Sequence, residues 1–401
     1  MRVVVTVESR YTRTPDGQVW TSAGPDYSGW TRYLAHFDRV RIAARVLDVA
    51  TAPVGAVRVD GPGVEVWPVP YYHGPREYLL RTLAVRRAMA ASTDDGDAVI
   101  LRVPSVLGTL LANRLDRLRR PYAVEVIGDP YDVFAPGVVQ HPLRPVLRHW
   151  FTSRLRRQCR AAIAVGYETE RHLQARYPAS VSAPTAGVSC VELPPAAYVP
   201  QPRTVERARG ARTIISVGSL DQLYKGVDTL LAALAQLAGT GSPVRAVHVG
   251  VGRFRGHLEQ MTASLGLTDR VTFLGWLPSA DALRAQLDAA DLFVMPSRTE
   301  GLPRALIEAM ARALPAIATT AGGIPELLPA TDLVPPDDPA ALAIAIHQML
   351  TDPIRMTTTS QRNLHRAHDF STHTLTPRRD TFYRAVRDAT EHRQPVRSQV
   401  P

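Results

Sequence analysis

Lysine is nearly absent from a chain that is otherwise rich in basic residues: of 47 lysines and arginines only Lys225 is a lysine, and the formal net charge is +10. Charge carried almost wholly by arginine is weak ground for a nucleic-acid partner, and no segment resembles a recognition helix or an aromatic-rich RNA platform. Cysteine is equally scarce. Cys159 and Cys190 belong to no CxxC or His/Cys cluster, which excludes a disulfide framework and a zinc site and points to a reducing, cytoplasmic setting. No run approaches the roughly 18 apolar residues of a membrane span. The amino terminus, MRVVVTVESR, enters a strand-like run with no long apolar leader, so the expectation is a soluble protein. A convincing DxD-type loop and any dense carboxylate or histidine cluster are missing too, and neither a metal nor a cofactor is expected.

What the chain does have is rhythm. With 401 residues, 45% of them hydrophobic, it can bury two ordinary cores. Strand-like runs fall at Arg2–Val7, Val40–Ala44, Val64–Val69, Ala98–Val103, Ala123–Ile127 and Ala161–Val165. Between them, Arg76–Ala91, Val106–Leu118 and Arg144–Arg160 carry apolar residues at helical spacing. The alternation pauses at Val191–Arg209, where four prolines intervene, and restarts with Thr213–Val217, Val244–Val249, Val271–Leu274, Leu292–Met295, Ala316–Thr319 and Leu333–Val334. The expected architecture is α/β: two Rossmann-like doubly wound domains, residues 1–195 and 196–370, facing a central cleft. A segment 371–401 would cross back to the first domain and end in a flexible tail.

Lys225 follows the strand ending in Ser216-Val217-Gly218 and opens the predicted helix Gly226–Leu237. Backbone N–H groups and the helix dipole favour anions there, and lysine adds a point charge suited to phosphate. The bland alternative is a surface lysine. In MPSRTEGLPRALIEAM, Glu300-Gly301 form a turn after a strand, and Pro303 suits the first position of a helix that carries Glu308. Two carboxylates so separated suit two hydroxyl-bearing parts of one extended ligand. Equally, Glu300 would favour the helix dipole, and Glu308 would pair with Arg304 and Arg312 at four-residue spacing.

In order and spacing, these segments together with HVGVGRF, RVTFLGWLP and ADLFVMPSRTEGLPRALIEAMARALPAIATTAGGIPEL resemble the retaining, E-x7-E-type glycosyltransferases of the GT-B fold, glycosyltransferase family 4. The resemblance implies that Lys225 contacts the donor diphosphate, Glu300 the donor sugar, the Gly301 and Leu302 N–H groups the phosphates, and Glu308 the ribose. Gly218, Ser219, Gly250 and Arg253 would frame the donor, with Phe273–Pro278, Leu274 among them, lining the base pocket. One position departs from the family: Ser219 stands where an arginine is common, leaving one cation fewer for the diphosphate and Arg253 as its substitute.

The first half would bind the acceptor. Gly29 and Trp30 occupy a loop near the expected cleft, although Trp30 suits packing as well. Asp129 stands where many members of the family place a histidine against the donor sugar, and an Asp-Pro turn explains it equally. The arginine-rich stretch Arg144–Arg160 admits a peripheral membrane contact, but packs more simply against a sheet. The implied activity is metal-independent, hexosyltransferase-like transfer, with retention, from a nucleoside-diphosphate sugar to a small molecule or glycan, as in bacterial natural-product or cell-surface glycan biosynthesis. A nucleotide-sugar epimerase and a noncatalytic sugar-nucleotide-binding relative remain the alternatives.

Overall fold

The computed structural model describes residues 1–135, 138, 142–204 and 212–392. In chain order its strands are β1 (Arg2–Arg13), β2 (Val19–Thr21), β3 (Arg39–Asp48), β4 (Val57–Arg58), β5 (Val64–Pro70), β6 (Ala98–Val103), β7 (Ala123–Val126), β8 (Val165–Tyr167), β9 (Thr185–Gly187), β10 (Arg212–Val217), β11 (Val244–Val249), β12 (Val271–Gly275), β13 (Leu292–Met295), β14 (Ala316–Thr319) and β15 (Leu333–Val334). The chain divides into two compact units. One comprises Met1–Gly128, Phe151–Val188 and the chain from Pro377; the other comprises Asp129–Trp150 and Ser189–Thr376.

In the first unit, β5-β3-β1-β6-β7-β8-β9 pair in parallel. Val3, Val4 and Val5, and nearly all of β6, are buried on both faces, as central parallel strands require. β1 runs six residues beyond the apolar stretch that announced it. Glu8, Ser9 and Arg10 end the apolar pattern, but after a register shift Arg10–Arg13 still pair with β3, and Thr12 and Arg13 pair antiparallel with β2. Backbone bonding extends a strand whose side chains have turned polar. Likewise the strand expected at Ala161–Val165 begins only at Val165, because the helix Arg144–Ala161 continues through Ala161 and Ala162 donates its N–H to Gln158 O. The helix Thr372–Glu391 contributes Phe382, Tyr383 and Val386 to this unit's core, and Asp380 lies 2.8 Å from His36.

The second unit is a parallel sheet of order β12-β11-β10-β13-β14-β15. The helix Arg304–Ala311 packs in a core with Ala367 and Phe370, and Val227–Gly239 and Pro339–Thr351 share a second core. The chain starts in the middle at β10, winds outward to β12, then returns to β13 on the other side. The strand order reverses between β10 and β13, opening a crevice at their carboxyl ends. The proline-rich stretch expected to separate the domains is tied to this unit, with Leu193 N–H donating to Phe370 O and Val199 N–H to Ala311 O. Residues 205–209 of that stretch, and 393–401 of the expected tail, lie outside the described residues.

Candidate functional site

The reversal between β10 and β13 brings together two residues 75 positions apart. Lys225 Nζ donates to Glu300 Oε1 at 2.7 Å, and Ser297 Oγ donates to the same oxygen at 2.7 Å. Their side chains are 19% and 8% exposed, so the pair is largely withdrawn from bulk water. Lys225 does not open the helix as predicted. It ends a short 3-10 turn, Leu223–Lys225, and the helix begins at Val227 after Gly226. Gly226 has φ +68°, and a Cβ there would lie 1.9 Å from Pro296 O, so only glycine joins the turn to the helix. The lysine stem lies over Gly218, where an added Cβ would meet its carbons at 3.2 Å.

The surrounding loops are fastened by residues that sequence reasoning missed. Arg298 donates its backbone N–H to Tyr224 O and its guanidinium to both Asp228 oxygens, at 2.9 and 2.8 Å, and to Asp337 at 2.6 Å. It ties the Glu300 loop to the Lys225 turn; among so many arginines, its sequence gave no distinguishing signal. His248 Nε2 lies 3.1 Å from Gly218 O, and Nδ1 lies 2.7 Å from Ser216 Oγ. A carbonyl oxygen only accepts, so Nε2 carries the proton and Nδ1 accepts from Ser216. Burial pushes the imidazole pKa down to about 4, which keeps the ring neutral in this role. On the far side, Gly323 N–H donates to Gly301 O, and a Cβ on Gly322 would lie 1.8 Å from Glu300 O. The N–H groups of Gly301 and Leu302 find no acceptor among the described residues.

Pro303 precedes the helix Arg304–Ala311 as its cap and is not its first residue. Glu308, in that helix, forms neither ion pair considered from its spacing. Arg312 instead donates to both oxygens of Asp288, at 2.8 and 2.6 Å. The Glu308 carboxylate has no hydrogen bond among the described residues, and burial raises its pKa despite Arg304 and Arg284 nearby. A desolvated carboxylate without donors is suited to ligand hydroxyls. Ser219 turns its hydroxyl to Asp221 Oδ2 at 3.1 Å. Arg253 Nε donates to Asp221 O at 2.8 Å, leaving its Nη groups without a hydrogen bond among the described residues. Gly250 and Gly252 press the β11 loop against Gly218 and Leu220, where Cβ atoms would lie 1.9 and 2.1 Å from backbone. Leu274, 39% exposed, and Trp276, 71% exposed, flank the end of β12.

Three expectations change. Trp30 is completely buried, stacked on Tyr33 with their centroids 6.0 Å apart and lying beneath the Arg102 guanidinium, so it is a core residue and not an acceptor contact. Gly29 lies within the short helix Tyr27–Thr31 with its N–H held by Asp26 Oδ1, because an aspartate cap, and not a glycine loop, shapes this turn. Asp129 is buried and caps the turn Pro130–Val133 by accepting from Tyr131 N–H at 2.9 Å; this is the Asp-Pro turn geometry, with its carboxylate engaged. The first unit's own strand-end cluster lies elsewhere. Glu8 accepts from Ser105 Oγ at 2.8 Å and Leu107 N–H at 2.9 Å, and lies 3.3 Å from Arg45, which covers the Tyr72 ring. The sequence signal was a glutamate directly after the buried run of β1, at the reversal between β1 and β6.

Comparison with known proteins agrees with this geometry. Residues 211–352 match the family model for glycosyl transferases group 1. The chain is 26% identical to Protein CapJ of Staphylococcus aureus over 336 residues, 82% of each chain. It is 30% identical to 2-deoxystreptamine glucosyltransferase of Streptomyces kanamyceticus over 272 residues, 59% of this chain and 65% of that one. Anabaena HepE, solved in complex with UDP-glucose, superposes with a TM-score of 0.60 at 19% identity, covering 98% of each chain. Residues 211–352 thus resemble the group 1 glycosyltransferases, and the two α/β units have the GT-B architecture.

Proposed function

We propose that the protein transfers a hexose, with retention of configuration and without a metal ion, from a nucleoside-diphosphate sugar to a hydroxyl of a small molecule or glycan. The observation that carries this reading is the Lys225–Glu300 pair at the strand reversal, beside the unused N–H groups of Gly301 and Leu302. Lys225 has two further N–H bonds to give a diphosphate while one remains on Glu300. The helix start beyond Pro303 adds its dipole. Together these groups offset charge that builds on the departing diphosphate, the work a divalent ion does elsewhere. Glu300 accepts from sugar hydroxyls and Glu308 from the ribose. The base lies against the end of β12, with Leu274 and Trp276 as apolar surface. Arg253 supplies the cation that Ser219 does not.

In the transfer step the bond from the anomeric carbon to the diphosphate oxygen breaks, the bond to the acceptor oxygen forms on the same face, and the acceptor proton passes to the leaving phosphate. No protein nucleophile is needed. Acceptor hydroxyls are received at the Glu8–Arg45 edge of the first unit, where Glu8 is about one-third exposed and Arg45 offers donors.

Thermal unfolding with UDP, GDP, ADP, TDP and CDP, each with and without chelator, tests the donor reading. One diphosphate should stabilise selectively and independently of chelator, by about 2.7 kcal/mol at 100 times its dissociation constant. Stabilisation by none of them, or only with a divalent ion present, overturns it.

A further inference from the structure

The helix Gly74–Ala90 in the first unit turns its leucines toward solvent. Val85 and Met89 are its buried residues, while Leu79, Leu80 and Leu83 are 71%, 88% and 70% exposed. At 3.6 residues per turn, Arg76, Leu79, Leu80, Leu83, Arg86 and Arg87 fall on the outward side, so arginines bracket the leucines at both ends. Glu77 is the only acid on the helix, and it is occupied by the His73 N–H at 2.7 Å. A second apolar piece leaves the sheet beside it. After β3, residues 49–57 (VATAPVGAV) carry no charge, and Val54 is fully exposed. β3 and β5 are parallel neighbours, so this loop and the start of the helix both leave the carboxyl ends of the strands, where Arg45 and Tyr72 also lie. Arg81 fastens the helix to that end of the sheet by donating to Tyr71 O at 2.7 Å.

We propose that the outward face of this helix docks on an anionic lipid surface, with Leu79, Leu80 and Leu83 entering the apolar layer and Arg76, Arg86 and Arg87 meeting the headgroup phosphates. Apolar side chains ringed by arginine match such a boundary in both hydrophobicity and charge. A second copy of the chain fits poorly, since pairing this face with itself would bring arginines against arginines on a molecule of net charge +10. Docking is independent of the transfer reaction. An acceptor carried on an amphiphile, which does rest on the glycosyltransferase reading, would arrive at the strand ends that hold Arg45.

Flotation of the full chain with vesicles of phosphatidylcholine alone, or mixed with phosphatidylglycerol, tests the proposal. Binding should favour the mixed vesicles and fall at least about tenfold near 1 M salt, where the Debye length is about 3 Å. Leu79→Ser with Leu83→Ser, and separately Arg86→Glu with Arg87→Glu, should each weaken binding at least about tenfold. Both should leave stabilisation by the nucleoside diphosphate unchanged, so failure of docking and failure of the donor reading are told apart. Equal binding by wild type and the leucine variant overturns the proposal, as does no binding to mixed vesicles. A wild-type dimer that the leucine variant converts to monomer also overturns it and gives the face to a second copy.

Discussion

Replacing Lys225 by methionine isolates its charge. The methionine stem still covers Gly218, so the loop keeps its packing while Glu300 retains the Ser297 hydroxyl at 2.7 Å. In the free protein one ammonium N–H is spent on Glu300, and a diphosphate would take the other two. Charge-assisted bonds contribute about 1.5 to 3 kcal/mol. Their loss should weaken nucleoside diphosphate binding by about 10- to 150-fold. The matching nucleoside, which has no phosphate to lose, should bind wild type and variant alike. Isothermal titration with both ligands gives the two ratios directly. An unchanged diphosphate affinity, or an equal loss for the nucleoside, would refute the assignment and leave Lys225 as the structural partner of Glu300 alone.

The remaining predictions concern the groups around this pair. Glu308→Gln should lower nucleoside diphosphate affinity about tenfold through one lost charge-assisted bond, with no effect on the 2′-deoxy analogue. It should also melt at a higher temperature, because burial raises the Glu308 pKa and the ionised carboxylate therefore costs stability at neutral pH. For His248 the folded pKa, about 4, lies below its ordinary 6.5, so the unfolded chain binds a proton that the folded one does not. Stability should fall as pH drops through that window, by about 3 kcal/mol from this residue. Denaturant midpoints at pH 7.5 and 4.5 should show a shallower loss for His248→Gln, and parallel losses would contradict the assignment. Gly322→Ala places a Cβ 1.8 Å from Glu300 O at φ +53°. A left-handed alanine alone costs about 1 to 2 kcal/mol, so transfer should collapse with a lowered melting temperature. Wild-type kinetics in this variant would mean that the Glu300 loop is not held as described.

The residues themselves determined most local elements but not their ends, since β1 runs on to Arg13 and the helix after Lys225 opens only at Val227. The valine run of β1 and the paired isoleucines of β10 announced parallel strands because buried strands have to be apolar on both faces. The Glu300-Gly301 turn and Pro303 put one carboxylate before a helix and the other inside it. Trp30 and Asp129 were ambiguous for the same reason: a tryptophan packs or binds, an aspartate caps or catalyses, and neighbours in sequence do not distinguish the two. Tertiary structure decided for Trp30 by burying it against Tyr33, whereas the Asp129 bond to the Tyr131 N–H is itself local. It also turned Glu308 away from the ion pairs its spacing offered, because Asp288 captured Arg312. The meeting of Lys225 with Glu300 was decided by strand order, which is set by crossover handedness and by burial of both sheet faces across the whole unit. Those are sums over many distant contacts, and no window of sequence contains them.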